Sequence, residues 1–318
     1  MSARPALIVR MTPDRPVAID YRSASMVSRL LATRPADEVP GLLSSLFAVC
    51  PSAQRLAGEL ALAGASGIRL PAERRRLLVR AARLEALREH GLRVLLGWPR
   101  ALRERSNEAV AGQWLAATRA GRAEEIARLA ERAILGCSPL RWLDQSPSDL
   151  VAWAQAGVTS AARFLARAMA MVSVPPCPAG AGPGLAGRLR DHALMDGFAE
   201  GSLAQHHAAR LVDLAWHITT LLQLGRRSGE HRVRRCDRGA SVRAFTSRGE
   251  LVHRVRLRGG KVECYSITSP TDRTFANDGI ARSWLEALAA APCARNEAAV
   301  GEVLQALDPC VEYRIEVI

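Results

Sequence analysis

The spacing of apolar residues changes period once along this 318-residue chain, and that change limits its fold more than any other feature. From about residue 23 to residue 224 apolar side chains recur at helical intervals. After residue 229 the segments SVRAFTS, ELVHRVRL and KVECYSI alternate at period two, separated by Arg-Gly and Gly-Gly turns, which predicts an antiparallel meander. Within the first part, helices are expected at 106–120, 123–135, 147–171 and 202–224. The stretch 173–187 (SVPPCPAGAGPGLAG) holds proline and glycine at a density no helix tolerates, so it is a loop. Two further helices, 278–290 and 296–307, precede a closing strand, VEYRIEVI. The expected class is mainly α with a small antiparallel β meander. One domain over 1–318 is expected, helical at about 23–224 and β-containing at about 229–318.

Composition narrows the setting. An apolar share of 48% excludes a disordered chain, and no apolar run is long enough to span a membrane. The first residues, MSARPALIVRMTPDRP, lack the basic, apolar and small-residue regions of a signal peptide. Seven cysteines are an odd number and too sparse for a disulfide scaffold, so reduced thiols in the cytoplasm are expected. The formal charge is +13, with Lys261 the single lysine beside 43 arginines. That surplus favours acidic partners, nucleic acid included. The arginines, however, are spread over helix faces with few aromatics among them, and single-strand binding needs both together. In the segment 74–87, Leu77, Ala81, Leu84 and Leu87 form an apolar stripe. Arg74, Arg75, Arg76, Arg80 and Arg83 supply the solvated face. A basic nucleic-acid-binding helical protein is therefore the remote reading.

Few residues carry recognisable chemistry. No Gly-rich phosphate loop follows a strand, and neither His-Glu-x-x-His nor Gly-x-Ser-x-Gly occurs. His207 shares a helical stripe with Leu203, Leu211, Leu214, Ile218 and Leu221 and reads as a core histidine. His206, Asp213 and His217 fall near the opposite face, where a metal site is the less favoured reading. No Cys-x-x-Cys spacing exists, which disfavours zinc ribbons, thioredoxin-type redox centres and ordinary iron–sulfur clusters. Cys137, Cys177, Cys236, Cys264 and Cys293 read as buried or incidental. Cys50 precedes Pro51 at the expected start of a helix, where the dipole and free N–H groups favour thiolate. Cys310 sits in Asp308-Pro309-Cys310, between a helix and a strand.

These two cysteines carry a family resemblance. LFAVCPSAQRLAGELAL resembles the Arg-x-Cys-Gly-x-Cys-Pro-x-x-His segment of nickel–iron hydrogenase large subunits, and LDPCVEY resembles their C-terminal Asp-Pro-Cys-x-x-Cys. Between them, TSRGELVHRVRLRGGKVECYSITSPTDRTF resembles the family's Ala-Pro-Arg-Gly-x-Leu-x-His, Asp-Gly-Lys and Pro-Thr stretch. The resemblance implies a reduced nickel–iron hydrogenase large-subunit-like fold. It places Cys50 at a metal-bridging position and Cys310 at a nickel-side one. Arg248 and Thr271 fall where the family's residues contact the two cyanides on iron.

The departures are as informative. Phe47 and Tyr313 replace the other two cysteines, and Gln54 replaces the first-motif histidine. The Arg-Ile-Glu-Gly-His segment is missing, and with Ile318 two residues beyond Glu316, where the family's terminal histidine would fall, no peptide for a maturation protease to remove is expected. Hydrogenase catalysis is not expected, and neither is nickel. This set of losses resembles the HupK/HoxV group of hydrogenase maturation proteins. The resemblance implies a non-catalytic scaffold holding an Fe(CN)2CO fragment through Cys50 and Cys310, with Arg248 and Thr271 orienting the cyanides. The implied partners are a HypC-type chaperone, a HypD-type protein and the hydrogenase large-subunit precursor, with no membrane role. A partner-binding decoy without metal is the alternative.

Overall fold

The computed structural model describes residues 7–12, 15–23, 25–223, 231–236, 239–291 and 297–317. Strands β1 (Leu7–Met11) and β2 (Ala18–Tyr21) come first. Helices α1 (Ser25–Leu31), α2 (Val39–Leu46), α3 (Pro51–Ala65) and α4 (Ala72–Leu92) follow. A π-helical turn, Arg93–Gly97, links α4 to α5 (Trp98–Ala101). Next are α6 (Glu108–Ala120), α7 (Ala123–Ala130), α8 (Pro139–Leu143), α9 (Pro147–Ala156), α10 (Ser160–Ala170), α11 (Leu185–Arg188) and α12 (Leu203–Leu222). The meander is β3 (Arg232–Cys236), β4 (Gly239–Thr246), β5 (Gly249–Arg258) and β6 (Lys261–Thr268). Helices α13 (Pro270–Thr274), α14 (Ile280–Ala290) and α15 (Glu297–Leu307) lead to β7 (Tyr313–Val317). The mainly helical class with an antiparallel meander is what the apolar periodicity predicts.

The meander pairs in the order β3-β4-β5-β6, every pair antiparallel. Its inner face (Val242, Ala244, Leu251, Val255, Val262 and Tyr265) packs on Leu56, Ala57, Leu60 and Ala61 of α3. Each fully buried leucine there contributes about 1.5–3 kcal/mol. Close approach is allowed by Gly64, where an added Cβ would lie 2.9 Å from the Ala240 side chain. The β4–β5 turn, which carries Arg248, is fixed at Gly249. Its φ of 132° and its backbone contact with Gly184 both exclude a side chain.

A second sheet was not expected from the sequence. β1 lies between β2, antiparallel to it, and β7, parallel to it, so segments about 300 residues apart in sequence close onto each other. Leu7, Val9 and Met11 point into a core shared with Trp284, Val300, Val303 and Leu304. The run LIVRM is too short to distinguish strand from buried helix without its distant partner.

Three other expectations are corrected. The single helix 147–171 is two, broken at Gly157 (φ 63°), with Thr159 capping α10 by accepting the Ala162 N–H. On α4 the buried arc runs through Leu78, Val79, Ala82, Glu85, Ala86, Leu87 and His90 and includes Arg83, whereas Leu77 is 56% exposed. The helix is packed by α3 on one side and by α6 and α12 on another, so no single stripe suffices. Helix α12 is buried around nearly its whole circumference, His206, Asp213 and His217 included. The expected end of that helix at residue 224 and the start of the last helix at 296 lie outside the described residues, as do Cys293 and Ile318. Among the described residues no helix is long and apolar enough to cross a membrane.

Candidate functional site

Cys50 is the residue before the first turn of α3, and Pro51 pre-sets the backbone of that turn. The helix end does not leave its N–H groups to the thiol. The Glu85 carboxylate of α4 accepts from Ser52 at 2.7 Å and from Ala53 at 3.1 Å. Burial, followed by the charge of Glu85, pushes the Cys50 thiol up to about 12, while the Gln54 amide donating to its sulfur at 3.7 Å acts the other way. The thiolate expected from the helix dipole is thus not the resting state, because the thiol is buried and the Glu85 carboxylate occupies that helix end.

Gln54 belongs to a buried relay. Its Oε1 accepts from His253 Nε2 at 2.8 Å, and His253 Nδ1 accepts from the Tyr265 hydroxyl at 2.8 Å. Burial holds His253 down to about 3, so the ring is neutral and has one N–H to give. That polarity leaves the Gln54 NH2 facing sulfur. Nothing in the local sequence singles out Tyr265; the only signal is an inward-facing histidine on an alternating strand.

Cys310 follows α15 through Asp308, which takes the left-handed conformation (φ 48°), and Pro309. Thr271 meets it from the start of α13, where Ser269 and Asp272 form a capping box. The Thr271 hydroxyl donates to Cys310 Sγ at 3.1 Å and accepts the Cys310 N–H at 3.1 Å. Since a hydroxyl carries one hydrogen, Thr271 contacts another acceptor only by releasing this sulfur. Burial raises the Cys310 thiol, against the Thr271 hydrogen bond and the charge of Arg248.

Arg248 joins the two cysteines electrostatically. Its charge lowers both thiols, against the burial that raises them. The guanidinium is already engaged, donating to the Asp308 carbonyl at 3.1 Å, to Glu89 at 3.3 Å and to Ser247 Oγ at 3.2 Å. Burial alone would raise the Asp308 carboxyl. Arg248, Arg210 (2.8 Å) and Arg93 outweigh it and hold Asp308 well below the usual range. Arg93 is the first residue of the π-helical turn, a local widening that often accompanies functional positions. Behind Asp308 the chain of contacts continues. Arg210 donates to His90 Nδ1 at 3.1 Å, and His90 donates to Asp213, which Arg188 also holds.

In front of Cys310 an open cleft of about 720 Å³ is lined by Glu89, Arg93, Arg248, Cys310, Tyr313 and Arg314. Of the four residues singled out from sequence, Cys310 and Arg248 line the cleft, Thr271 bonds Cys310, and Cys50 directly follows Ala48 and Val49 of the cleft wall. Tyr313 stands 42% exposed at its rim, and Phe47 packs on the α3 core.

The histidine pair takes structural roles. His207 packs edge-on against Phe164 (4.9 Å) and Trp98 (5.7 Å), and His206 packs on Trp284 (4.9 Å). Among the described residues no three His, Cys, Asp or Glu side chains converge as a metal cluster. Cys177 is buried, one of the two roles read for it from sequence. It lies in the β1–α14 core, its sulfur donating to the Ile280 carbonyl at 3.7 Å. Cys137 is half-buried and Cys264 exposed, whereas the Cys236 side chain lies outside the described residues.

Comparison with known proteins places this site in context. No family model matches the chain. The hydrogenase expression/formation protein HoxV of Cupriavidus necator is 30% identical, covering 99% of this chain and 97% of its own length. HupK of Azotobacter vinelandii is 28% identical over 100% and 99%, and HupV of Azotobacter chroococcum 27% over the same shares. Among solved structures, an NAD+-reducing [NiFe]-hydrogenase superposes with a TM-score of 0.60 at 14% identity, covering 93% of this chain and 92% of its own. The Ni-Fe-Se hydrogenase of Desulfomicrobium baculatum does so at 0.55 and 11%, covering 93% of each. The fold is that of the nickel–iron hydrogenase large subunit.

Proposed function

This chain belongs to the family of hydrogenase expression/formation proteins that includes HoxV and HupK, and on that premise we propose that it is a non-catalytic scaffold for nickel–iron hydrogenase assembly. It holds an Fe(CN)2CO fragment as cargo and passes it to the large-subunit precursor. What supports this reading is that Arg248 and Cys310, the latter bonded to Thr271, line an open cleft whose wall runs through Ala48 and Val49 up to Cys50; by the resemblance, Phe47 and Tyr313 replace the other two cysteines. Two soft thiolates suit iron and leave out nickel, and directed N–H and O–H donors suit cyanide. With half the ligands of a permanent site, the cargo can leave.

The chemistry sets a condition on loading. Both thiols are raised and protonated in the free chain, so binding through sulfur releases protons. Arg248 is held in place by Asp308 and Glu89 before any cargo arrives, and Thr271 trades its bond to Cys310 for one to the cargo. The protein acts in the cytoplasm, as one large-subunit-like domain, with a HypC-type chaperone and a HypD-type protein as suppliers. The high thiol range of Cys50 favours a second reading, a decoy that binds partners without metal.

Infrared spectroscopy on anaerobically purified protein separates the two, because bound CO and CN− absorb where protein does not. Such bands, lost in Cys50→Ser, support the scaffold. Their absence, with full hydrogenase maturation in cells carrying Cys50→Ser, leaves the decoy.

A further inference from the structure

The meander has two faces with opposite duties. One is buried on α3; the other displays arginines. Register places Arg232 directly across from Arg243, and Ser241 between Arg234 and Arg254. Arg256 lies across from Gly239 and Cys264 on the same face, and all five of these arginines are exposed. Glu250 answers Arg243 at 3.4 Å. Among the described residues, Arg232, Arg234, Arg254 and Arg256 have no carboxylate at ion-pair distance.

Like charges facing each other across strands destabilise a sheet. Arg232 faces Arg243 directly and the other three share the same face one position removed, so four arginines without a carboxylate leave a surface suited to an anionic occupant. The pleat sets the arginines on a grid of about 4.8 Å across strands and about 6.8 Å along them. The planar guanidinium fork matches carboxylates two oxygens at a time.

We propose that this outer face of the meander docks an acidic protein surface. The positions between the arginines are Ser241, Ser266, Gly239 and Cys264, with no aromatic ring to stack a base. The face is a flat sheet rather than a helix or ribbon that enters a groove, and it offers no apolar side chains to insert into a bilayer. Arg256 stands eight residues along β5 from Arg248, about 27 Å of strand. The Arg254 and Arg256 end of the face is thus the part remote from the cleft at Cys310, whereas Arg243, across from Val252, stands nearer to it. This inference does not depend on whether the cleft binds iron.

The test uses the full chain carrying Arg234→Glu, Arg254→Glu and Arg256→Glu. A control carries the same charge change on exposed helical positions, Arg76→Glu, Arg119→Glu and Arg141→Glu. Binding of a labelled polyglutamate peptide, a duplex DNA and phosphatidylserine vesicles is measured at about 0.15 M salt. The face variant is expected to bind the peptide at least about tenfold more weakly than the control. Arg254→Gln with Arg256→Gln, which adds no new carboxylate, weakens binding in the same direction if reversal disturbs folding. Equal weakening by face and control variants would mean diffuse charge alone and overturns the proposal. So does DNA or vesicle binding that exceeds peptide binding and is lost with the face.

Discussion

Thr271 holds Cys310 twice, donating its hydroxyl hydrogen to the sulfur and accepting the cysteine's own N–H, each at 3.1 Å. The pairing ties the start of α13 to the loop after α15 and fixes where the sulfur points. Thr271→Val keeps the shape and removes both bonds. Leaving the Cys310 N–H unmet costs about 1–3 kcal/mol locally. Thr271→Val should raise the Cys310 thiol further and lower iron retention, while Thr271→Ser should recover most of both. Alkylation rate of Cys310 against pH, with iron content after anaerobic purification, reads the difference; identical behaviour of Val and Ser would remove the hydroxyl from the account.

The cysteine series needs a control chosen from the structure. Cys50→Ser and Cys310→Ser should each sharply reduce bound iron and hydrogenase maturation, since serine offers a hard oxygen that stays protonated. Cys177→Ser is not a silent control, because its site is buried and apolar, and a loss of about 1 kcal/mol in stability is expected. Cys264→Ser, on the exposed face, should be silent. Iron per chain and cellular hydrogenase activity measure all four. Full maturation with Cys50→Ser would transfer the function to partner binding.

Asp308 is the hinge of the buried charge network. Asp308→Asn keeps the size and removes the charge that Arg93, Arg210 and Arg248 share. Breaking a buried pair in this way costs about 3–5 kcal/mol. The expected result is a lower urea midpoint together with loss of any bound iron, because Arg248 and Cys310 are both positioned through this residue. A midpoint within error of the unsubstituted chain would mean that the arginines repair themselves with water or Glu89.

Acid should unfold the protein earlier than its carboxylates alone imply. Burial holds His90 and His206 down to about 4 and His253 down to about 3. Below about pH 6.5 the unfolded chain takes up protons that the folded chain refuses. Stability is therefore complete above that pH and falls as pH drops towards 4, by on the order of 1 kcal/mol per unit for each such ring. Asp308, held low by its arginines, adds its own loss below the ordinary carboxylate range. Urea midpoints at pH 7 and pH 5 test this directly. Equal midpoints would show that water reaches these rings.

Much of the fold was legible in local pattern. The meander strands alternate because one face is buried on α3, and alternation is visible within a few residues. Helix starts were legible where proline or a hydroxyl residue marks them, as at Pro51 and Ser202. The break at Gly157 carried the same kind of signal in Gly157 and Thr159, but the apolar period running through both sides concealed it. The four candidate residues were proposed from short motifs that resemble those of the hydrogenase large subunit, although only two of its four cysteines are present.

What the sequence alone determined is what near neighbours encode: the meander and the longer helices in their order, the Pro/Gly break that runs from residue 173 to the start of α11 at Leu185, and the placing of two cysteines beside prolines. Only the tertiary structure decided which groups answer one another across the chain. β1 becomes a strand because β7 lies beside it, roughly three hundred residues away in sequence. Arg83 is buried and Leu77 exposed because α4 is packed from two sides. The Cys50 thiol rises rather than falls because the packed structure buries it and, second, because Glu85 from another helix brings its charge close and takes the Ser52 and Ala53 N–H groups. Charge and hydrogen-bond energies depend on distance and on the exclusion of water, and neither is a property of sequence separation.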